Sequence, residues 1–74
     1  MGNQKKTEII SIGTELLRGE ITDTNARYLA SQLPLLGVKL SRITTVSDNK
    51  AQLGQVLRQA LGRSVLILTS GGLG

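Results

Sequence analysis

The stretch Val65-Leu66-Ile67-Leu68, which runs directly into Thr69-Ser70-Gly71-Gly72-Leu73-Gly74, says most about the fold of this 74-residue chain. Four aliphatic residues in a row predict a strand that is buried on both faces, as strands of parallel sheets are. Three glycines within four residues after such a strand let the backbone turn tightly and approach a ligand closely. A helix that points its first N–H groups at a phosphate normally follows. Because the sequence ends before such a helix, we expect an incomplete ligand loop.

Two more strands are predicted upstream of this stretch. A β-branched run at 8–12 ends at Gly13 and predicts the first strand. The run 38–46 alternates apolar and polar residues before a β-branched end, which is typical of an edge strand rather than a central one. The run 65–68 is the third strand.

Two amphipathic helices separate the strands. Apolar residues at helical spacing begin after Asp23, and we expect Pro34 to kink or end this helix before Gly37 closes it. The turn 47–49 supplies a cap for the second helix, whose apolar residues repeat at helical spacing until Gly62.

The order β-α-β-α-β predicts a parallel sheet, because helical crossovers connect parallel strands and are right-handed. The more polar second strand belongs at an edge, and the apolar third strand lies beside the first. We therefore predict a three-layer α/β/α architecture with strand order 2-1-3, the first half of a doubly wound fold. Residues 1–6 are expected to form a flexible N-terminus, so that a partial domain spans 7–74.

Composition excludes several kinds of chemistry. With no Cys and no His, the chain lacks disulfides, thiolate zinc sites and imidazole bases, so any metal would be Mg²⁺ or another divalent cation bound by oxygen. The net charge of +4 favours anions, but the basic residues are scattered and Tyr28 is the only aromatic residue, so we do not expect nucleic-acid binding. No apolar run approaches the ~20 residues that span a bilayer. We therefore predict a cytoplasmic protein without membrane contact.

The candidate site lies where the loops leaving strands one and three meet, which is the switch point of a doubly wound sheet. The last loop could present successive backbone N–H groups to an anion, and the first loop offers two carboxylates to a cation. Glu15 and Asp23 are therefore the candidates for catalysis and for metal binding. The candidate phosphate- or ligand-binding residues are Gly13, Thr14, Ser70, Gly71, Gly72 and Gly74.

Purely structural roles compete with these assignments. Glycines after a strand are equally explained by the geometry of a turn, since short glycine patterns are weak evidence. The presence of Asp23 and Thr24 is also explained if one of them is the N-cap of the first helix and neither contacts a ligand. We expect Leu16 and Leu17 to anchor the loop in the core and Tyr28 to pack there as well.

Three motifs in register resemble one known family. The first is the run 12–17 with Gly19 and Asp23-Thr24-Asn25, the second is Thr44-Thr45-Val46 with Asp48-Asn49, and the third is 69–74. From Glu8 onward, the chain is similar to the N-terminal, molybdopterin-binding-fold domain of the CinA (competence/damage-inducible) family.

The resemblance implies a domain longer than this chain and a metal-dependent pyrophosphatase that acts on ADP-ribose-type nucleotides. It also implies that a small phosphate-bearing nucleotide or pterin is the ligand. Some members carry a separate module that deamidates nicotinamide mononucleotide, and nothing of that module is in this sequence. By the same resemblance, the last loop holds a phosphate near the first loop: Gly71, Gly72 and Gly74 near Thr14, Glu15 and Asp23.

The chain departs from the family pattern in ways that bear on activity. Arg18 stands where an aliphatic residue is usual, and the acidic residues expected after Gly74 are absent. We therefore expect this chain alone to be inactive. One alternative is a pterin-phosphate-binding module of the molybdenum-cofactor type. Another is an inactive truncated fragment that forms a homo-oligomer through an exposed sheet edge.

Overall fold

The computed structural model describes residues 6–71, which form one three-stranded sheet with helices on both faces. In chain order the elements are β1 (Thr7–Ile12), α1 (Thr14–Leu17), α2 (Thr24–Gln32), a 3₁₀ helix (Leu33–Leu36), β2 (Leu40–Val46), α3 (Lys50–Leu61) and β3 (Leu66–Gly71).

The sheet is parallel and has the strand order β2-β1-β3, which confirms the prediction. Ile12, at the end of β1, pairs with Val46 on one side and with Gly71 on the other. Gly13 donates its N–H to the Val46 carbonyl at 2.9 Å. The two glycine-bearing loops therefore leave the sheet at the same end.

Alternate residues of β1 face the two helical layers. Ile10 and Ile12 pack with Val46 and with Ala60 of α3. Ile9 faces the other way and packs with the layer that contains α2 and the 3₁₀ helix. The predicted three-layer architecture is confirmed, because β1 is buried on both faces along its whole length.

Local sequence explains how the first long helix begins and ends. The Asp23 side chain accepts a hydrogen bond from the Ala26 N–H at 3.0 Å, the geometry of an N-cap. Pro34 ends the α-helix and is accommodated in the 3₁₀ helix, as predicted. Gly37 then adopts a left-handed conformation, with φ of 74°.

Some expectations need correction. Residues 14–17 form a short helix where we predicted a loop, and β3 extends to Gly71 because its backbone pairs with β1 as far as Ile12. Leu17 and Tyr28 are exposed rather than packed in the core, at 54% and 63%. The run 65–68 is not buried on both faces as predicted, because β3 lies at an edge of the described sheet and leaves Val65 and Leu66 exposed. At the predicted boundary, the Lys6 carbonyl accepts a hydrogen bond from the Val65 N–H at 3.0 Å. Residues 1–5 lie outside the described part of the chain.

The helices of the described residues include none that is long and apolar enough to cross a membrane.

Candidate functional site

A cavity of about 130 Å³ opens at the carboxyl ends of β1 and β3, beside the start of α2. The first loop, the first turn of α2 and the end of β3 together form its walls. Among the predicted site residues, it brings together Glu15, Asp23, Ser70 and Gly71. The full lining is Ile12, Glu15, Leu16, Ile21, Thr22, Asp23, Thr24, Asn25, Ser70 and Gly71.

Gly71 occupies a position at which the fold tolerates only glycine. Its φ is +91°, and a Cβ atom added there would lie 2.2 Å from the carbonyl oxygen of Ile12. Such a distance is well below van der Waals contact, and the obstacle is backbone that cannot rotate away. The glycine thus brings β3 close to β1 at the rim of the cavity, whether or not a ligand is bound.

Gly13 makes room for a carboxylate. A Cβ atom on this residue would lie 2.6 Å from Oε1 of Glu15, so the Glu15 side chain folds back over the glycine. Gly13 itself is buried. Its contribution to the site is therefore space for Glu15.

Thr14 lies beside the cavity and does not line it. Its Oγ1 accepts a hydrogen bond from the Asp48 N–H at 3.4 Å, which ties α1 to the loop between β2 and α3. Thr14 Oγ1 is the acceptor in this bond and keeps its own proton, so its predicted role as a phosphate donor stays a prediction. Gly72 and Gly74, which we also predicted as ligand contacts, lie outside the described residues.

The polar part of the cavity wall consists of acceptors and small polar groups, and Ile12, Leu16 and Ile21 form the apolar part. Glu15 and Asp23 supply two carboxylates, and the lining within residues 6–71 includes no lysine or arginine. Arg18 instead pairs with Glu20 at 3.6 Å, and both side chains are largely exposed. An anion entering this cavity alone would meet like charge from the two carboxylates.

The oxygen atoms that line the cavity suit a hard divalent cation only if a bound ligand supplies further oxygen atoms. The described residues hold no group of three or more His, Cys, Asp or Glu that could bind a metal by themselves. Mg²⁺, however, is usually bound by one or two carboxylates together with water and the phosphates of a substrate. Two carboxylates with nearby hydroxyl and amide oxygens meet that requirement.

The sequence predicts mainly a capping role for the segment at the start of α2, and in the structure this segment also lines the cavity. Thr22, Thr24 and Asn25 line the cavity together with Asp23, whose side chain also caps the helix. The run Asp23-Thr24-Asn25 was a usable signal, because three polar residues exceed what one N-cap needs.

A larger cavity of about 460 Å³ lies at the opposite, amino end of the sheet and was not predicted. Its lining includes Lys6 and Lys39 together with the aliphatic residues Val38, Val65 and Leu66. Ligands of open α/β sheets bind outside the carboxyl ends of the strands, so the smaller cavity is the better candidate for a functional site.

Comparison with known proteins relates the chain to one family. A family model described as "Probable molybdopterin binding domain" matches residues 8–74. The chain is 57% identical over 67 residues to a protein of Halothermothrix orenii described as competence-damage inducible. It is 52% identical over 69 residues to a CinA-like protein of Kosmotoga olearia.

A solved structure extends the comparison to three dimensions. The crystal structure of the protein CinA, of unknown function, from Thermoplasma acidophilum superposes with a TM-score of 0.89 at 36% sequence identity. The superposition covers 99% of this chain and 43% of that chain. The matches cover 90% and 93% of this chain but only 16% and 17% of the two relatives from H. orenii and K. olearia.

Fold, motif positions and sequence similarity thus agree over nearly the whole chain. The chain belongs to the molybdopterin-binding domain family and, within it, to the CinA-like proteins.

Proposed function

We propose that this chain forms part of a site for a phosphate-bearing nucleotide of the ADP-ribose type. In this proposal a divalent cation joins the ligand to Glu15 and Asp23. The observation that carries the proposal is the cavity at the switch point, which is lined by two carboxylates and by Gly71.

The size of the cavity limits what it can hold. At about 130 Å³ it is smaller than the ~300–1,000 Å³ typical of pockets for whole small molecules. It accommodates a phosphate group, and the nucleoside would lie outside it. This arrangement is consistent with a longer polypeptide supplying the remaining contacts, since the chain spans a minor share of its relatives.

The charges of the cavity argue for a cation. Coulomb repulsion between a phosphate and two carboxylates is removed when a divalent ion lies between them. The cation would also polarise a phosphoryl oxygen and so assist hydrolysis of a phosphoanhydride. The Ser70 hydroxyl and the Gly71 N–H are the nearby groups suited to donate to phosphate oxygens.

Turnover requires more than these residues supply. Glu15 and Asp23 are the two carboxylates of the cavity, and Asp23 is already engaged as an N-cap. Metal-assisted hydrolysis must also activate a water molecule and stabilise a leaving group. We therefore propose that the 74-residue chain binds without hydrolysing, and that the hydrolase activity belongs to a longer polypeptide.

A pterin phosphate is the second candidate ligand, favoured by the description of the matching family model. It would use the same phosphate position. Tyr28, the one aromatic residue of the chain, is exposed and does not line the cavity. No ring of this chain is therefore placed to stack on a pterin there.

Isothermal calorimetry with ADP-ribose, with and without Mg²⁺, tests the proposal. We expect saturable binding with a Kd on the order of millimolar, equivalent to about 4 kcal/mol, and only in the presence of Mg²⁺. AMP should compete, since it carries a phosphate. Tighter binding of a pterin phosphate than of ADP-ribose would favour the second candidate, and a lack of saturation with either would refute both.

A further inference from the structure

Ser11 is a buried hydroxyl without a partner, close to the candidate site. Its side chain has no exposed surface, and its Oγ makes no hydrogen bond within residues 6–71. Buried polar atoms almost always find a partner, and each exception requires an explanation. Neither the core nor the proposed phosphate contacts use this hydroxyl.

Strand register places Ser11 next to a residue that lines the cavity. Ser11 of β1 pairs with Ser70 of β3, and Ser70 lines the cavity. Two positions earlier in the same register, Ile9 and Leu68 belong to one core cluster, the one on the α2 side of the sheet. Side chains alternate along a strand, so Ser11 and Ser70 also lie on that side.

The spacing of strands makes contact between the two hydroxyls feasible. Neighbouring strands are about 4.8 Å apart, and paired Ser or Thr side chains on the same face can hydrogen-bond to each other. A hydroxyl has one donor proton and two acceptor lone pairs. If Ser70 accepts a hydrogen bond from Ser11, its own proton remains free to be donated elsewhere.

We propose that Ser11 is a positioning residue for Ser70. When a phosphate enters the cavity, the Ser11 hydroxyl donates to Ser70 Oγ, and Ser70 donates to a phosphate oxygen. This proposal rests on the proposed function. It matters because Glu15 and Asp23 offer only acceptors, so the direction of the Ser70 proton decides whether this hydroxyl attracts the phosphate. A chain of two hydrogen bonds also polarises the second bond toward the anion.

The test compares Ser11→Ala, Ser70→Ala and the double variant. Binding of ADP-ribose with Mg²⁺ is measured by calorimetry, and the melting temperature is measured without ligand. We expect Ser11→Ala to weaken binding by threefold or more without lowering the melting temperature of the free chain, because it removes an unsatisfied hydroxyl. The double variant should bind no more weakly than Ser70→Ala, because Ser11 acts through Ser70.

Thr44→Val provides the matched control. Thr44 pairs with Ile10, which packs on the α3 side, so this substitution removes a hydroxyl from the other face of the sheet. It should leave the affinity unchanged. Ser11→Cys keeps a group of similar size with a weak donor, and its affinity should fall between those of the wild type and Ser11→Ala.

Several results would overturn the inference alone. One is that Ser11→Ala binds ADP-ribose with wild-type affinity, and another is that the losses of affinity in the two single variants add up in the double variant. A third is a lower melting temperature of Ser11→Ala, which would indicate that the hydroxyl has a structural role. If Ser11→Ala does not fold, wild-type affinity in Ser11→Cys has the same consequence. If the wild-type chain shows no saturable binding, the proposed function fails, and this inference fails with it.

Discussion

Arg63 binds the buried carboxylate of Glu8 at two points and so joins the segment after α3 to the start of the central strand. Nε of Arg63 lies 2.7 Å from Oε2 of Glu8, and one of its terminal nitrogens donates to Oε1 at 2.9 Å. The Ser64 hydroxyl also donates to Oε2. Glu8 is 1% exposed, so its charge depends on these partners.

Removal of the arginine is expected to destabilise the fold strongly. Arg63→Met leaves the Glu8 carboxylate buried without its cation, which typically costs about 3–5 kcal/mol and would consume most of the stability of so small a domain. Urea denaturation followed by circular dichroism measures the change. The double variant Glu8→Gln/Arg63→Met should recover a large part of the loss, and Arg58→Met, at an exposed position of α3, should cost little. Equal stability of Arg63→Met and Arg58→Met would contradict the role assigned to the ion pair.

The same ion pair predicts how stability depends on pH. The hydrogen bond from Arg63 is the main cause that lowers the pKa of Glu8 from 4.5 to about 2, against the opposing effect of burial. A carboxyl whose pKa is lower in the folded state stabilises the fold above its unfolded pKa. This stabilisation, on the order of 3 kcal/mol, should be lost as the pH falls from about 4.5 to about 2. Melting temperatures between pH 7 and pH 2 would show the decline, and Glu8→Gln should show much less of it.

Two glycines are predicted to respond to alanine in opposite directions. Gly71→Ala places a methyl group against the Ile12 carbonyl in a left-handed conformation, so we expect a loss of roughly 2 kcal/mol or more. Gly54→Ala lies inside α3, where the nearest atom is an Arg58 nitrogen at 3.5 Å, and should stabilise by about 0.5–1 kcal/mol. Thermal denaturation of both variants measures these changes in stability. A neutral Gly71→Ala would show that the close approach of β3 to β1 is not required.

The carboxylates of the cavity can be tested without disturbing the helix cap. Asp23→Asn retains a good N-cap residue, so its stability should change by less than about 0.5 kcal/mol, while Mg²⁺-dependent binding of ADP-ribose should weaken several-fold. Glu15→Gln should weaken binding in the same way. Glu20→Gln is the matched control, because Glu20 is exposed, pairs with Arg18 and does not line the cavity. If Glu20→Gln weakens binding as much as Asp23→Asn does, the effect is one of overall charge.

The outer edge of β3 predicts self-association of the 74-residue chain. Within the described residues β3 pairs only with β1, so its other edge presents backbone donors and acceptors. We propose that copies of the chain associate there as a homo-oligomer. Thr69→Lys adds a charge at an exposed position of β3 and should reduce the oligomer seen by light scattering with little loss of stability. Ile67→Lys, in the core cluster beside α3, should impair folding as well. A monodisperse wild-type monomer with a cooperative melt would refute this proposal.

Much of the fold follows from local sequence. The contrast between the apolar run 65–68 and the polar residues of β2 was enough to predict strand order 2-1-3, because burial and crossover handedness leave few alternatives. Asp23 is the helix cap that its residue type suggests, and Pro34 ends α2 as its missing N–H requires. The meeting of Glu15 and Asp23 with Ser70 and Gly71 followed from the topology alone.

Only the tertiary structure decided the contacts that depend on register between distant segments. Glu8 and Arg63 are 55 residues apart, and no local pattern distinguishes this pair from other charged residues. Thr14 accepts a hydrogen bond from the Asp48 N–H, and Ser11 lies beside Ser70, because strand pairing sets which side chains face each other. The need for glycine at position 71 likewise arises from the carbonyl of Ile12 across the sheet. The sequence by itself determined the three strands, the two longer helices and their order, since these depend on propensity and burial over short stretches. The packed sheet determined which side chains become partners, because a shift of one residue in strand register would change every pair.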